Sequence, residues 1–386
     1  MAPPLSFYEF FAGAGMARAG LGAKWRCAFA NEFDVKKGTI YRKNWKAPDM
    51  LHLADVCTLS TKDLPGEADL AWASFPCQDL SLAGAGAGLK GDRSGTFWPF
   101  WRLMEGLIKE GRAPKLIVLE NVCGTLTSHG GKDFAAICST FVKAGYYFGA
   151  MIVDAAHFVP QSRPRLFVIG IRDDVALSAP SIAANTSSTL WHPRGLLNAH
   201  KRLSPKVKEK WLWWNPPTPA ERVSTFADLI EDNPVGVEWH TAAEKAKLLK
   251  MMSEINRDKV NEVKALGHRV VGAVYKRTRL DEVGRKVQRA EIRFDGLAGC
   301  LRTPAGGSSR QVIVVVEGKS VRSRLISPRE TARLMGLPDE YELPPNYNEA
   351  YHLTGDGVAV PVVRYLSQHI FEYLLQAQAS SARVAA

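Results

Sequence analysis

The stretch "ASFPCQDLSLAGAGAG" (73–88) places Cys77 behind a proline, directly after the apolar run "DLAWASF" and ahead of a glycine-rich loop. A structural cysteine would sit inside such a run. Here a strand ending near Phe75 delivers the thiol to a loop at the edge of a sheet, where a thiolate is a nucleophile. The other cysteines are Cys27, Cys57, Cys123, Cys138 and Cys300. No two of the six are spaced Cys-x-x-Cys and no His-x-x-x-His accompanies them, so no structural zinc site is expected. Cys27, Cys57, Cys123 and Cys138 lie in or beside apolar segments and are expected as buried thiols.

A second group of residues suits a nucleotide-type ligand. "FFAGAGM" follows the first apolar run, and Gly13 and Gly15 let the backbone pass close to a ligand. Arg18 fills the third glycine place of G-x-G-x-x-G, so the phosphate-binding fingerprint is absent. Glu32, in "FANEFD", ends the second strand, where a carboxylate accepts hydrogen bonds from both ribose hydroxyls. Asp55, in "HLADVCTL", follows the third and is placed to accept from an adenine amino group. Two acids at successive strand ends beside a glycine turn point to an adenosine cofactor without a pyrophosphate.

These residues need a scaffold that brings strand ends together. "SFYEFF" (6–11), "CAFA" (27–30), "LAWASF" (70–75), "LIVLENV" (116–122), "YYFGAMIVD" (146–154) and "RLFVIGI" (165–171) read as strands. "TFWPFWRLMEGLIKEG" and "DFAAICSTFVKAG" between them have helical periodicity and glycine stops. Alternation at this spacing predicts a doubly wound α/β sheet, with ligands beyond the C-terminal ends of its strands. After about Asp174 the pattern breaks into Ser/Ala/Pro-rich sequence and then basic, irregular, tryptophan-containing sequence. The expected division is a catalytic and cofactor-binding domain over 1–175, a smaller domain over 176–345, and a segment over 346–386 whose helix "AVPVVRYLSQHIFEYLLQAQA" returns to the first. The N-terminus lacks a basic region followed by an apolar one, and no apolar run reaches the ~20 residues of a membrane span, so a soluble, cytoplasmic protein is expected.

With its motifs in order over almost the whole chain, the sequence resembles a DNA (cytosine-5)-methyltransferase of bacterial or phage type. "FAGAG" resembles the S-adenosylmethionine motif, "SFPCQ" the Pro-Cys loop, "LENV" the Glu-Asn-Val motif and "QSRPR" the Gln-x-Arg-x-Arg motif. "RLISPRETARLMGLP" resembles the motif that follows target recognition and "GDGVAVPVV" the last one, with Asp356 where many relatives have Asn. The resemblance implies a Rossmann-like methyltransferase sheet with an inserted, irregular target-recognition domain. It implies that Cys77 attacks carbon 6 of a flipped-out cytosine with Pro76 shaping its loop, that Glu120 serves N3 and the 4-amino group, and that Arg163 and Arg165 hold the base carbonyl and a phosphate. A surface salt-bridge pair is the competing account of the two arginines. It further implies contacts to S-adenosylmethionine from Phe11, Gly13, Gly15, Glu32, Phe33, Asp55, Val56, Pro76, Phe97, Asp356 and Val358. DNA contacts are implied for Gln78, Ser81, Gln161, Arg302, Thr303, Ser308, Ser309 and Arg310, and residues 84–95 read as a glycine-hinged lid.

The charge distribution agrees with a polyanionic partner. Residues 201–330 hold 26 Lys plus Arg against 16 Asp plus Glu, a net +10 out of the chain's +11. Double-stranded DNA is the expected partner of a monomeric, metal-free enzyme that is nucleoid-associated while acting, with a cognate restriction endonuclease as its genetic counterpart. A tRNA cytosine-5 methyltransferase of the same fold would carry a Cys-Phe-Thr motif, which is not found. An amino-methyltransferase would have Asp/Asn-Pro-Pro-aromatic where "FPCQ" stands, and an inactive DNA-binding paralogue would not need Cys77, Glu120, Arg163 and Arg165.

Overall fold

Short apolar runs become the strands of one seven-stranded sheet in a computed structural model, which describes residues 4–46, 48–76, 89, 94–175, 182–302 and 310–376. In chain order these strands are β1 (Leu5–Phe10), β2 (Trp25–Glu32), β3 (Leu51–Leu53), β4 (Leu70–Ala73), β5 (Leu116–Val122), β6 (Tyr146–Asp154) and β7 (Pro164–Arg172). Their spatial order is β3-β2-β1-β4-β5-β7-β6. The first five are mutually parallel, and β7 runs antiparallel to both neighbours. "LAWA" of β4 is buried at every position, as a central strand covered on both faces must be.

The helices α1 (Met16–Leu21), α2 (Val35–Trp45), α3 (Phe97–Lys109) and α4 (Lys132–Lys143) connect these strands. Asp34 caps α2 by accepting from the Lys36 and Lys37 amides. On α3, Phe97, Phe100, Trp101, Met104 and Leu107 recur at helical spacing and are buried.

The chain divides into two compact units, Met1–Asp154 with Pro164–Pro219 and Val362–Ala386, and Ala155–Arg163 with Ala220–Pro361. This departs from the expected boundaries at 175/176 and 345/346, for a packing reason at each. Residues 182–219 carry β8 (Ala183–Ala184), α5 (Arg194–Lys201), α6 (Pro205–Lys208) and β9 (Trp213–Trp214). Leu196, Ala199, Leu203, Val207 and Trp211 from this stretch join the core of the first unit. Residues after 345 begin in the second unit, where Tyr351 Oη accepts from the Gln311 amide at 3.1 Å and Thr354 Oγ1 bonds Thr331 Oγ1 at 3.0 Å.

The second unit is more regular than its sequence suggests. Its four strands, β10 (Arg269–Leu280), β11 (Lys286–Arg293), β12 (Val312–Glu317) and β13 (Ser320–Leu325), form an antiparallel sheet in the order β11-β10-β12-β13. Helices α7 (Ala242–Lys250) and α8 (Glu254–Ala265) cover it through Leu248, Val260 and Val263, with Met252 from the link between them, packed against the valines of β12. It ends in α9 (Pro328–Leu334), α10 (Tyr347–Asp356) and the start of α11 (Val360–Leu366). "SPRE" forms a capping box on α9, with Ser327 and Glu330 each satisfying the other's backbone amide. The final helix, expected as one run, gives way after α11 to a π turn over Ser367–Phe371. There Ser367 Oγ accepts from Trp25 Nε1 at 2.8 Å and donates to Glu372 Oε1 at 2.9 Å.

Glu330 also forms an ion pair at 2.5 Å with Arg324, both side chains being fully buried. Removing one member leaves the other charged and desolvated. Glu330→Ala should therefore destabilise the second unit by about 3–5 kcal/mol, read as a lower midpoint in urea unfolding.

Candidate active site

The candidate site is built on the C-terminal ends of the parallel strands, where successive loops leave the same edge of the sheet. Beyond β1 the chain makes a tight turn in which Phe11, Gly13 and Gly15 all have positive φ, at 56°, 57° and 84°. A phenylalanine in the left-handed region is a strained exception, and such strain collects at functional turns. A β-carbon at Gly13 would have open space around it, whereas one at Gly15 would collide with Trp45 and Tyr41. The turn thus presents Gly13 outward and packs Gly15 inward.

Glu32 at the end of β2 fixes this turn. Its Oε2 accepts from the Gly13 amide at 2.7 Å, and its Oε1 accepts from the Phe33 and Asp34 amides at 2.9 and 2.8 Å. The next residue, Phe33, is 74% exposed, an apolar ring left uncovered beside the turn. Asp55 follows β3 and caps a single 3₁₀ turn, accepting from the Cys57 amide at 2.9 Å, and Val56 behind it is buried. An outward glycine turn, a carboxylate beneath it, an uncovered aromatic ring and a second acid together fit an adenosine-type cofactor.

At the end of β5, Glu120 Oε1 lies 3.3 Å from Arg165 Nε. The antiparallel register explains the meeting: Glu120 pairs with Phe167 and Val122 with Arg165, so Glu120 and Arg165 are diagonal neighbours on one face. Asn121 ties this strand to the next loop, donating through Nδ2 to the Phe75 carbonyl at 3.0 Å, one residue before Pro76. It was not among the expected site residues, although the Glu-Asn-Val motif contains it. Beside the pair, burial pushes the Cys123 thiol up, with Arg165 pulling the other way, so this second thiol is held in its unreactive form.

Several expected contacts take other positions. Arg163 is buried in the second unit, where its guanidinium donates to the carbonyls of Leu301, Gly355 and Gly357 at 3.0, 2.8 and 2.6 Å. Its place is therefore inside the fold, in a different unit from Arg165. Gln161, expected at DNA, is also fully buried, donating to the Leu334 carbonyl at 2.8 Å and accepting from the Leu301 amide at 3.1 Å. Phe97, expected at the cofactor, is wholly buried and stacks on Trp101. Cys57 is exposed, contrary to the expectation of a buried thiol, because it sits on the 3₁₀ turn that Asp55 caps.

Asp356 is exposed at the end of α10 and Val358 buried just beyond it, both in the second unit. Arg302 is exposed, while Arg310 bonds Asn348 Oδ1 and covers the Tyr347 ring. Cys77, Gln78, Ser81, Thr303, Ser308 and Ser309, and most of the expected lid, lie outside the described residues. Much of the positive charge of the second unit is matched locally, as in Arg269–Asp232, Arg279–Glu291, Arg285–Asp281 and Arg333–Asp339. Among the described residues no cluster of three or more His, Cys, Asp or Glu could hold a metal, and no helix is long and apolar enough to cross a membrane.

The strand order and the glycine turn with acids at the following strand ends define a Rossmann-like methyltransferase. The family model for C-5 cytosine-specific DNA methylase matches residues 5–372, and the chain belongs to that family of DNA cytosine-5 methyltransferases. Among curated proteins it is 25% identical over 389 residues to the type II methyltransferase M.HpaII of Haemophilus parainfluenzae, covering 96% of this chain and 90% of the relative. It is 26% identical over 375 residues to M.HhaI of Haemophilus parahaemolyticus, covering 95% and 94%. Of the solved structures, Entamoeba histolytica methyltransferase EhMeth shares the fold with a TM-score of 0.63 at 15% identity, covering 96% of this chain and 99% of that one. S. pombe Dnmt2 does so with a TM-score of 0.56 at 17% identity, covering 97% and 99%.

The different places of the two arginines can be separated experimentally. Arg163→Met leaves three buried carbonyls without their donor and should cost at least about 3 kcal/mol of stability. Arg165→Met takes the cation from the largely buried Glu120 carboxylate and should itself cost about 3–5 kcal/mol, but unlike Arg163→Met it should also remove most activity from the molecules that remain folded. Urea unfolding beside a methylation assay reads both.

Proposed function

We propose that this protein is a sequence-specific DNA methyltransferase that transfers a methyl group from S-adenosylmethionine to carbon 5 of a flipped-out cytosine, through a covalent bond to Cys77. The observation that carries this reading is the Glu120–Arg165 pair beside the Asn121–Phe75 tie, on the edge where the loop bearing Cys77 begins. The turn at Phe11–Gly15, with Glu32 and Phe33, would hold the cofactor, Asp55 would take its adenine amino group, and Pro76 would shape the loop that brings it near the base. S-adenosylmethionine supplies an electrophilic methyl group when bound.

Carbon 5 of cytosine is too weak a nucleophile to take that methyl unaided. The Cys77 thiolate adds to carbon 6 and pushes electron density toward N3, which takes a proton from Glu120 and leaves carbon 5 enamine-like. Arg165, aligned by Glu120, holds the base carbonyl. After transfer, a water takes the carbon 5 proton, N3 returns its proton to Glu120 and the thiolate departs, which restores the aromatic ring. The base reaches Cys77 only once it is out of the duplex, at a cost of a few kcal/mol that the pocket offsets.

Arg302, Thr303, Ser308, Ser309 and Arg310 are the proposed DNA contacts, and the net +10 of residues 201–330 supports a polyanion there. Arg310 enters this role by releasing Asn348. The type II designation of the relatives supports a modification enzyme paired genetically with an endonuclease. We take the enzyme to act as a monomer in the cytoplasm.

Cys77→Ser should abolish methyl transfer while leaving DNA binding intact, and duplex DNA with 5-fluorocytosine at the target should trap the wild type as an adduct stable to denaturant. Fluorine cannot leave as the proton does, so turnover by the serine variant, or no trapped species, would rule the covalent route out. Bisulfite sequencing of DNA from expressing cells would supply the target sequence. For the cofactor, Glu32→Ala releases the Gly13 amide and should weaken S-adenosylmethionine binding by about 1.5–3 kcal/mol. Calorimetry checks this, with cofactor-free DNA binding expected to be unchanged.

A further inference from the structure

Beneath the cofactor turn lies a buried polar cluster that the proposed chemistry does not use. Glu9, near the end of β1, is fully buried; its Oε1 accepts from the Arg18 amide in α1 at 3.2 Å, and its Oε2 accepts from Tyr41 Oη of α2 at 3.2 Å. The Tyr41 hydroxyl in turn accepts from Arg18 Nη1 at 3.1 Å, and the Cys27 thiol of β2 lies 3.6 Å from it. The Arg18 guanidinium covers the Trp45 ring at 4.7 Å, and Trp45 Nε1 donates to the Ala14 carbonyl at 3.2 Å. Burial pushes the Glu9 carboxyl up to about 7, with Arg18 opposing it.

Burying a carboxyl is costly unless it is matched, and the half-buried Arg18 guanidinium is part of that match. Here the matching runs through groups that bracket the turn: Arg18 just after it in α1, and Trp45 on the carbonyl in its middle. The turn does not hold its own shape, because Phe11 in the left-handed region costs free energy and Gly13 and Gly15 leave the backbone free to take other conformations. Arg18 is also the residue that replaces the third glycine of the dinucleotide fingerprint. Its side chain has been taken inward as part of the restraint.

We propose that Glu9 and Tyr41 are positioning residues for the cofactor turn: through Arg18 they fix α1 against α2, so that Gly13 and its neighbours are set before S-adenosylmethionine arrives. The proposal rests on the assignment of this turn to the cofactor. It places the effect in cofactor affinity, because a preformed site avoids the ordering cost on binding.

The test uses the full-length protein and S-adenosylmethionine, with affinity measured by calorimetry and unfolding temperature measured without cofactor. Glu9→Gln puts an N–H where the Tyr41 hydroxyl needs an acceptor, and Tyr41→Phe removes the hydroxyl without changing the ring. Each should raise Kd about three- to tenfold, the range for one net hydrogen bond. KM for the cofactor should rise with it, and kcat at saturation should change less than twofold. The double variant should bind less weakly than the two single losses added together, since both substitutions remove the same contact between residues 9 and 41. Unchanged Kd in both single variants, or additive losses that merely follow a falling unfolding temperature, would overturn the proposal. A wild type that binds no S-adenosylmethionine would instead overturn the cofactor assignment, and this inference with it.

Discussion

Gly13 is tied to Glu32 by a hydrogen bond of 2.7 Å, a contact that joins the end of β2 to a turn that leaves β1 under strain. The backbone there enters the left-handed region at Phe11, Gly13 and Gly15. It keeps that shape because the Ala12 amide is bound by the Asn31 carbonyl, the Gly13 amide by Glu32, and the Ala14 carbonyl by Trp45. The shape of the turn depends on those ties. Phe33 is exposed beside the turn because Glu32 has bent the chain back toward Gly13, and Asp34 can then cap α2 at the point where the strand has ended.

Much of the sheet was legible because its signals are local. Runs such as "LAWA" and "LIVLENV" are too short for helices and too apolar for exposed strands, so their identity and extent follow from composition and length. Glu32 and Asp55 were read in the same way, as acids at the ends of such runs, whereas Glu120 came from the family resemblance. What could not be read was the use made of each side chain. Arg163 and Arg165 are identical residues two places apart, yet one is consumed by carbonyls 138 to 194 residues away in sequence and the other meets a carboxylate across a strand pair. That difference arises from long-range register. The hairpin of β10 and β11 was missed because alternating Arg, Lys, Thr and Gln give little hydrophobic periodicity; only its base is buried.

The basic excess of the second unit also looks different once the pairs are seen. Arg324 is wholly internal, and Arg269, Arg279, Arg285 and Arg333 have carboxylate partners nearby. Formal charge therefore overstates the number of side chains ready for phosphates. The outer half of the β10–β11 hairpin is where the balance tips. Arg277 stands directly opposite Arg289 in the register, and one carboxylate, Glu291, is shared between Arg277 and Arg279 on a ribbon exposed on both faces.

The nine residues Ala155–Arg163 sit in the sequence between two strands of the first unit but fold as part of the second. This detour carries Gln161 and Arg163, whose side chains hold together the backbones of Leu301, Leu334, Gly355 and Gly357. A chimera made by transplanting 220–361 from a relative would thus arrive with its keystone left behind in the recipient. Where the two parents differ in this short connector, the graft would fail in its own interior, however well its recognition surface was chosen. The modular border of the protein is discontinuous in the gene, and an exchange that respects it must carry both pieces.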